Sequence, residues 1–424
     1  MSSKNPINKD INKDINKDIN KDINKDINKE HMESKDSEDN EEFDEIETFE
    51  ELDVDKNIIR GVFSYGFEKP SPIQKKAIRP VLSGRDVIAQ AQSGTGKTAT
   101  FTLGVLGRIN VAENKTQALI LAHTRELALQ IHNVFSQIGN YMDIIYNLSI
   151  KGISTSENIN ALCKKPRRPH IVIGTPGRVL DMINKKALQV ETIKMIVIDE
   201  ADEMLSEGFV DQIYNILRTT PSDSQICLFS ATMPSSFFDM STKFMRDPIK
   251  ILVKSDQLTL EGIKQYYIDV QKHSYKFDTL CDLYSLLTIN QSMIYCNSKK
   301  TVDDLTYKMK EANFSVSYIH GAITPQERED TMAAFRSGAT RVLISTDLLA
   351  RGIDVQQVSI VINYDVPSNV ESYLHRIGRS GRFGRKGVGI NFITNYDIEK
   401  IKNIEQFYET TIEEMPADIS SILQ

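Results

Sequence analysis

Short apolar runs recur along the chain, and stretches of helical period fill the gaps between them. Residues 86–89, 117–121, 171–174, 195–199 and 225–230 form a first set, each followed by small or polar residues. Strands buried on both faces read as continuous apolar runs rather than as alternation. Alternated with helices, they predict a parallel sheet covered on both sides. A polar break at 254–257 is followed by the same grammar, with runs at 292–296, 316–320, 341–345, 359–364 and 387–393. The pattern predicts two tandem α/β domains, 49–253 and 258–424, with functional loops at the carboxyl ends of the strands and a cleft between the domains. Upstream, helical periodicity from Asp53 to Phe63 and a second short helix after Pro72 precede the first strand. Order is expected to begin near Phe49.

The region before Phe49 is of another kind. Residues 7–30 repeat Ile-Asn-Lys-Asp, ending in Ile27-Asn28-Lys29-Glu30. An Ile every four residues drifts about 40° per repeat around an ideal helix, so no apolar stripe forms. Asn is a weak helix former, and these Ile are too few to build a core. Residues 33–47 are strongly acidic, so 1–48 is expected to be a disordered tail.

The tail also accounts for the overall charge. It holds eight Lys against fifteen Asp and Glu, which equals the net −7 of all 424 residues. The remainder is neutral, so only local basic clusters can argue for a nucleic-acid partner. Cys163, Cys227, Cys281 and Cys296 are widely spaced and predict reduced thiols in an intracellular compartment. No apolar run is long enough to span a membrane.

Chemistry enters at Ala91-x-x-x-x-Gly96-Lys97-Thr98, between a strand and a helix. Gly94 and Gly96 allow a loop whose N–H groups cradle phosphate oxygens, with Ser93 and Thr95 in the same cradle. Lys97 can reach the terminal phosphates, and the Thr98 hydroxyl suits Mg²⁺. The strand 195–199 ends in Asp199-Glu200-Ala201-Asp202. Asp199 suits the same ion, and Glu200 suits activation of the attacking water. Alone, such acids serve equally as a helix N-cap; the phosphate loop changes that weighting. In His375-Arg376-Ile377-Gly378-Arg379-Ser380-Gly381-Arg382, the spacing of Arg379 and Arg382 predicts one shared helical face aimed into the cleft. A solvated basic turn is the plainer alternative.

Asp199-Glu200-Ala201-Asp202 spells the signature of the DEAD-box ATP-dependent RNA helicases, and the chain resembles that family across residues 49–424. Phe49, Gly66-Phe67-x-x-Pro70 and Ile73-Gln74 resemble its adenine-reading motif. Within the family the chain looks most like the translation initiation factor 4A group, which includes a nuclear paralogue. The resemblance implies two RecA-like domains. Gln74 would pair with adenine while Phe49, with Phe67, would meet the base. Gly352 and Asp354 would meet phosphate and ribose. Lys97, Glu200, His375, Arg379 and Arg382 would carry catalysis, with ATP and Mg²⁺ as cofactors. Ser230, Thr232 and Asp202 would couple the nucleotide to RNA, and His375 would bridge to the Ser230-Ala231-Thr232 segment. Backbone contacts to single-stranded RNA would come from Thr124, Arg125, Gly152, Thr175, Gly177 and Arg178 in the first domain. Asn297, Arg328, Thr346 and Asp347 would add those of the second.

Four positions depart from the family pattern: His123, Lys151, Ala322 and Pro325, all on the presumed RNA side. The expected activity is local unwinding of short duplexes driven by ATP hydrolysis, in translation initiation. An ATP-locked RNA clamp in nuclear processing is the alternative, and a P-loop kinase or GTPase would leave the second-domain arginines unexplained. A cytoplasmic (alternatively nuclear) monomer, helped by proteins that orient its two domains, completes the expectation.

Overall fold

The computed structural model describes residues 43–92, 94–164, 167–205, 208–252, 263–287, 289, 291–347, 358–380 and 387–416. The repeat tract and the 254–257 break lie outside them. A compact unit begins at Glu45. Ile46 is fully buried, and its N–H donates to the Lys75 carbonyl at 3.2 Å. The expectation that 33–47 carries no structure therefore fails at its last residues, because one apolar side chain there has a core to enter.

Within that unit, two seven-stranded sheets form the framework. The first holds β1 (Val87–Gln90), β2 (Ala118–Leu121), β3 (Tyr146–Ser149), β4 (Ile171–Gly174), β5 (Met195–Asp199), β6 (Gln225–Ser230) and β7 (Ile249–Ile251). The second holds β8 (Ile263–Asp269), β9 (Ser292–Tyr295), β10 (Val316–Ile319), β11 (Val342–Ser345), β12 (Ile360–Asn363), β13 (Gly387–Ile393) and β14 (Glu413–Glu414). Their orders are β3-β4-β2-β5-β6-β1-β7 and β10-β11-β9-β12-β13-β8-β14, the same topology twice. Every described pairing is parallel.

Period-2 alternation sends successive side chains to opposite faces. Ala118 and Ile120 enter one core while Leu119 and Leu121 enter the other. The second sheet divides in the same way, with Met293 and Tyr295 on one side and Ile294 on the other. Helices cover all four faces, and this double burial is why the central strands read as unbroken apolar runs.

Candidate functional site

The strand order divides the first sheet's carboxyl edge into two halves. Strands β5, β6 and β1 lie side by side and carry the acids, the Ser230 segment and the phosphate loop. Gly94 and Gly96 adopt φ of +85° and +101°, a region that favours glycine. Helix Lys97–Arg108 starts on the loop, with Gly96 as its N-cap. At Gly96 the loop also has no room: a Cβ there would lie 2.6 Å from Gln74 Nε2. Lys97 is buried, donating to the Ala91 carbonyl at 2.9 Å and facing Glu200 at 3.8 Å. Thr95 donates its hydroxyl to the Gln92 carbonyl at 2.7 Å, and Thr98 stays half-buried in the first helical turn. The Ala91 N–H donates to the Ser230 carbonyl at 3.0 Å, so the loop's base is pinned to β6.

The adenine-side residues require a correction. Phe49 is fully buried, its ring 6.5 Å from Phe63 and 6.4 Å from Phe67, and so presents no face to a base. Phe67, half-buried and 4.9 Å from Tyr65, keeps open surface. Phe49 belongs to the core that supports it. Gln74 is buried as well: its Oε1 accepts the Ser71 N–H at 2.8 Å in a capping box, and its Nε2 reaches the Gly96 carbonyl at 3.5 Å. That amide is joined to the phosphate loop in this arrangement.

Glu200 caps the short helix Ala201–Met204 at φ +49°, ψ +54°, a left-handed conformation uncommon for a non-glycine residue. Strain of this kind concentrates where a side chain must be aimed. Its N–H donates to Asp199 Oδ1 at 3.0 Å, and both carboxylates are 2% exposed. Burial pushes the Asp199 carboxyl up to about 7; the Glu200 charge adds to that rise and Lys97 opposes it. Burial acts to raise Glu200 too, but the fields of Lys97, His375 and His123 outweigh it and hold its carboxyl below the usual range. Glu200 thus stays ionised, and its Oε2 makes no hydrogen bond among the described residues. A buried carboxylate with an uncommitted oxygen beside a phosphate loop is suited to orient a water.

A contact between the domains completes this half. Asp202 Oδ2 accepts from Thr232 Oγ1 at 2.5 Å and from His375 Nε2 at 3.1 Å. His375 therefore reaches the Ser230-Ala231-Thr232 segment through Asp202 rather than directly. Arg379 is 1% exposed and donates to the His375 carbonyl at 3.3 Å. Helix Val370–Ile377 ends two residues before Arg379, which sits in the following turn. The expected helical face shared with Arg382 is not formed at Arg379, since Gly378 caps the helix first. Arg382, Ser93, Gly352 and Asp354 lie outside the described residues.

The other half of the edge, β3-β4-β2, carries the residues expected to face RNA. Thr124 caps helix Arg125–Ile138 and accepts the Leu127 N–H at 3.2 Å. Gly152 follows β3 at φ +104°. Thr175 caps helix Pro176–Asn184, with Gly177 exposed in its first turn and Arg178 donating to Ile153 O and Asn158 Oδ1 at 2.7 and 2.8 Å. In the second sheet the equivalents are Asn297 after β9, Arg328 in the first turn of helix Pro325–Arg336 after β10, and Thr346 with Asp347 after β11.

Two residues that hold the candidate site residues in place were not singled out by the sequence reading. Arg376 is fully buried and donates to Asp347 Oδ1 and Oδ2 at 2.5 and 2.8 Å, to Asn297 Oδ1 at 2.7 Å and to the Asp365 carbonyl at 2.7 Å. It fixes two of the second-domain RNA candidates at once. Glu126 meets Arg328 across the cleft at 3.0 Å. Arg376 stood inside the quoted basic motif and Glu126 directly after Arg125, but a basic run or a helix-start acid carries no sequence signal of burial.

Residues 71–240 match the family model described as DEAD/DEAH box helicase, and 275–384 match that of the helicase conserved C-terminal domain. A Candida albicans protein named ATP-dependent RNA helicase eIF4A is 58% identical over 374 residues, 88% of this chain and 94% of that one. The structure of Saccharomyces cerevisiae Dbp5 bound to RNA and ADP BeF3 superposes with a TM-score of 0.82 at 36% identity, covering 89% of this chain and all of Dbp5. A Dbp5 variant bound to Nup159, Gle1, IP6 and ADP gives 0.60 at 35% identity, over 87% of this chain and 97% of that one. Two parallel sheets of one topology, a phosphate loop facing Asp199 and Glu200, and these similarities together establish that the chain belongs to the DEAD-box family of ATP-dependent RNA helicases, enzymes that hydrolyse ATP.

Proposed function

We propose that this chain melts short RNA duplexes locally during translation initiation, by closing its two domains on ATP and single-stranded RNA. The observation that carries the reading is the matched division of the sheet edges. Loops after β2, β3 and β4 and their equivalents after β9, β10 and β11 present the RNA candidates, while β1, β5 and β6 hold the nucleotide candidates. Asp202, Thr232 and His375 join the two domains where those halves adjoin. The likeness to relatives named eIF4A favours this role over an RNA clamp in the nucleus. We assign it to the cytoplasm as a monomer whose domains are oriented by partner proteins; no described helix is long and apolar enough to cross a membrane.

In this reading Lys97 and the loop N–H groups bind the phosphates, Phe67 meets the base, and Gln74 exchanges its Gly96 contact for the adenine edge. Glu200 holds the attacking water and takes its proton. Arg379 with Arg382 compensates charge on the transferred phosphoryl group from the second domain, and Gly352 with Asp354 meets phosphate and ribose. Thr98 and Asp199 supply hard oxygen donors of the kind Mg²⁺ takes. Bound there, the ion neutralises phosphate charge. RNA is held by backbone and sugar, so sequence preference is weak. A purified sample should show RNA-stimulated ATP hydrolysis and release of a short duplex strand. Stable RNA retention without turnover would instead make the protein a clamp.

The raised Asp199 carboxyl adds a pH dependence. A proton and a metal ion compete for the same oxygens. Since the carboxyl titrates at about 7, affinity for Mg²⁺ should fall as pH drops through that value. Titrating Mg²⁺ in the presence of ATP, with Asp199→Asn alongside to cancel the titration of the nucleotide's own terminal phosphate, should show a loss of affinity from about pH 8 to about pH 6 roughly tenfold larger in wild type. Equal losses in the two proteins would remove Asp199 from the ion's ligands.

A further inference from the structure

The cleft is bridged a second time, on its RNA side, by residues that the family resemblance assigns to RNA or leaves unassigned. Arg328 Nη1 donates to Glu126 Oε1 at 3.0 Å, with the side chains 15% and 10% exposed, while its Nη2 donates to the Gly321 carbonyl at 3.0 Å. One residue along on each helix, Arg125 Nη2 lies 3.8 Å from Glu329 Oε2. The pairs are reciprocal, each domain giving one arginine and one glutamate. Nearby, Pro325 of the second domain faces Gly152 of the first, with room between them for little more than a methyl group: a Cβ on Gly152 would lie 3.5 Å from Pro325 Cγ and 3.2 Å from Arg125 Nε. Pro325 is also a departure from the family pattern, and it opens helix Pro325–Arg336 with its φ already set. A rigid apolar residue set against a bare backbone marks a close approach of the two domains. It has no group with which to bind phosphate.

We infer that Glu126 and Arg328, beside the close approach of Pro325 to Gly152 and flanked by Arg125 and Glu329, form a clasp that holds the domains closed. Glu126 is then a positioning residue for the known reaction. Two accounts of the pair differ in sign. If Glu126 only competes with RNA phosphates for Arg328, removing its charge strengthens RNA binding, since an anion leaves the surface. If the pair holds closure, removing it weakens RNA binding, and only in the state where closure occurs. Partly desolvated pairs of good geometry sustain such coupling, whereas exposed ones contribute little.

The inference rests on the closure cycle proposed above, and the measurement separates the two. Anisotropy of a labelled single-stranded RNA is recorded at fixed salt, with and without Mg²⁺ and a non-hydrolysable ATP analogue. Glu126→Gln should weaken affinity roughly three- to tenfold with the analogue and leave nucleotide-free affinity unchanged. In an Arg328→Gln background the same change should have no effect, because the pair is already broken. A melting temperature equal to wild type shows that the variant folds, and Glu126→Asp, which keeps the charge, should fall between. Tighter binding by Glu126→Gln, or an undiminished effect in the Arg328→Gln background, overturns the clasp. A wild-type protein whose RNA affinity ignores the analogue overturns the closure cycle and the clasp with it.

Discussion

Glu200→Gln is expected to lower ATP turnover by a factor of about 10² to 10⁴, the range attributable to a positioned general base. The substitution keeps size and shape at a side chain only 2% exposed, so ATP binding through Lys97 and the loop should survive. Two features of the structure make the result specific to water activation. Glu200 is held ionised by Lys97, His375 and His123 against its own burial, so the wild-type side chain is a base before substrate arrives. Its Oε2 is uncommitted among the described residues, whereas Asp199 Oδ1 already accepts the Glu200 N–H. Single-turnover hydrolysis beside an ATP-binding titration would test this. Turnover within about threefold of wild type would move the basic role elsewhere. A second readout comes from Asp199, whose carboxyl is raised in part by the Glu200 charge. Removing that charge should shift the fall in Mg²⁺ affinity to lower pH, an effect that mere loss of a water contact does not produce.

How much of this was legible beforehand follows from burial. The central strands were readable because both of their faces are covered, and runs such as Met195–Asp199 have no polar side to interrupt them. The strands missed were β3, β7, β8 and β14. Three of these are edges, and β8 is covered on one side only by the two-residue β14. They read as Tyr146-Asn147-Leu148-Ser149, Ile249-Lys250-Ile251 and Ile263-Lys264-Gln265, where polar residues are tolerated. The phosphate loop and the acids were legible because their chemistry needs fixed spacing along one strand–loop–helix unit. Phe49 was misread because an aromatic at motif spacing looks the same whether it meets a ligand or supports the residue that does. Arg376 and Glu126 were passed over because pairing across 29 or 202 positions leaves no local trace, as with Arg376 and Asp347 or Glu126 and Arg328.

Asp202→Asn should uncouple the two ligands by roughly 30-fold, measured as the loss of ATP-dependent gain in RNA affinity. The size follows from the environment. Asp202 and His375 side chains are 3% and 0% exposed, and one carboxylate oxygen serves donors from both domains. A hydrogen bond to a charged group contributes about 1.5–3 kcal/mol, and about 1.4 kcal/mol is a decade in an equilibrium constant. The asparagine retains an acceptor but not the charge, so the bond to His375, made only when the domains meet, is weakened, while Thr232 keeps a partner within its own domain. Nucleotide affinity of the open protein should stay near wild type, because Lys97, Thr98 and the loop are untouched. His375→Asn should reproduce the defect from the other domain, and the double variant should be no worse than the worse single one, since both remove the same contact. Thr232→Val, which takes away only the first-domain donor, should leave the His375 bond in place and produce a smaller loss. Additive losses in the double variant would mean that Asp202 and His375 act through separate contacts, and that the cleft is closed on the nucleotide side by something other than this node.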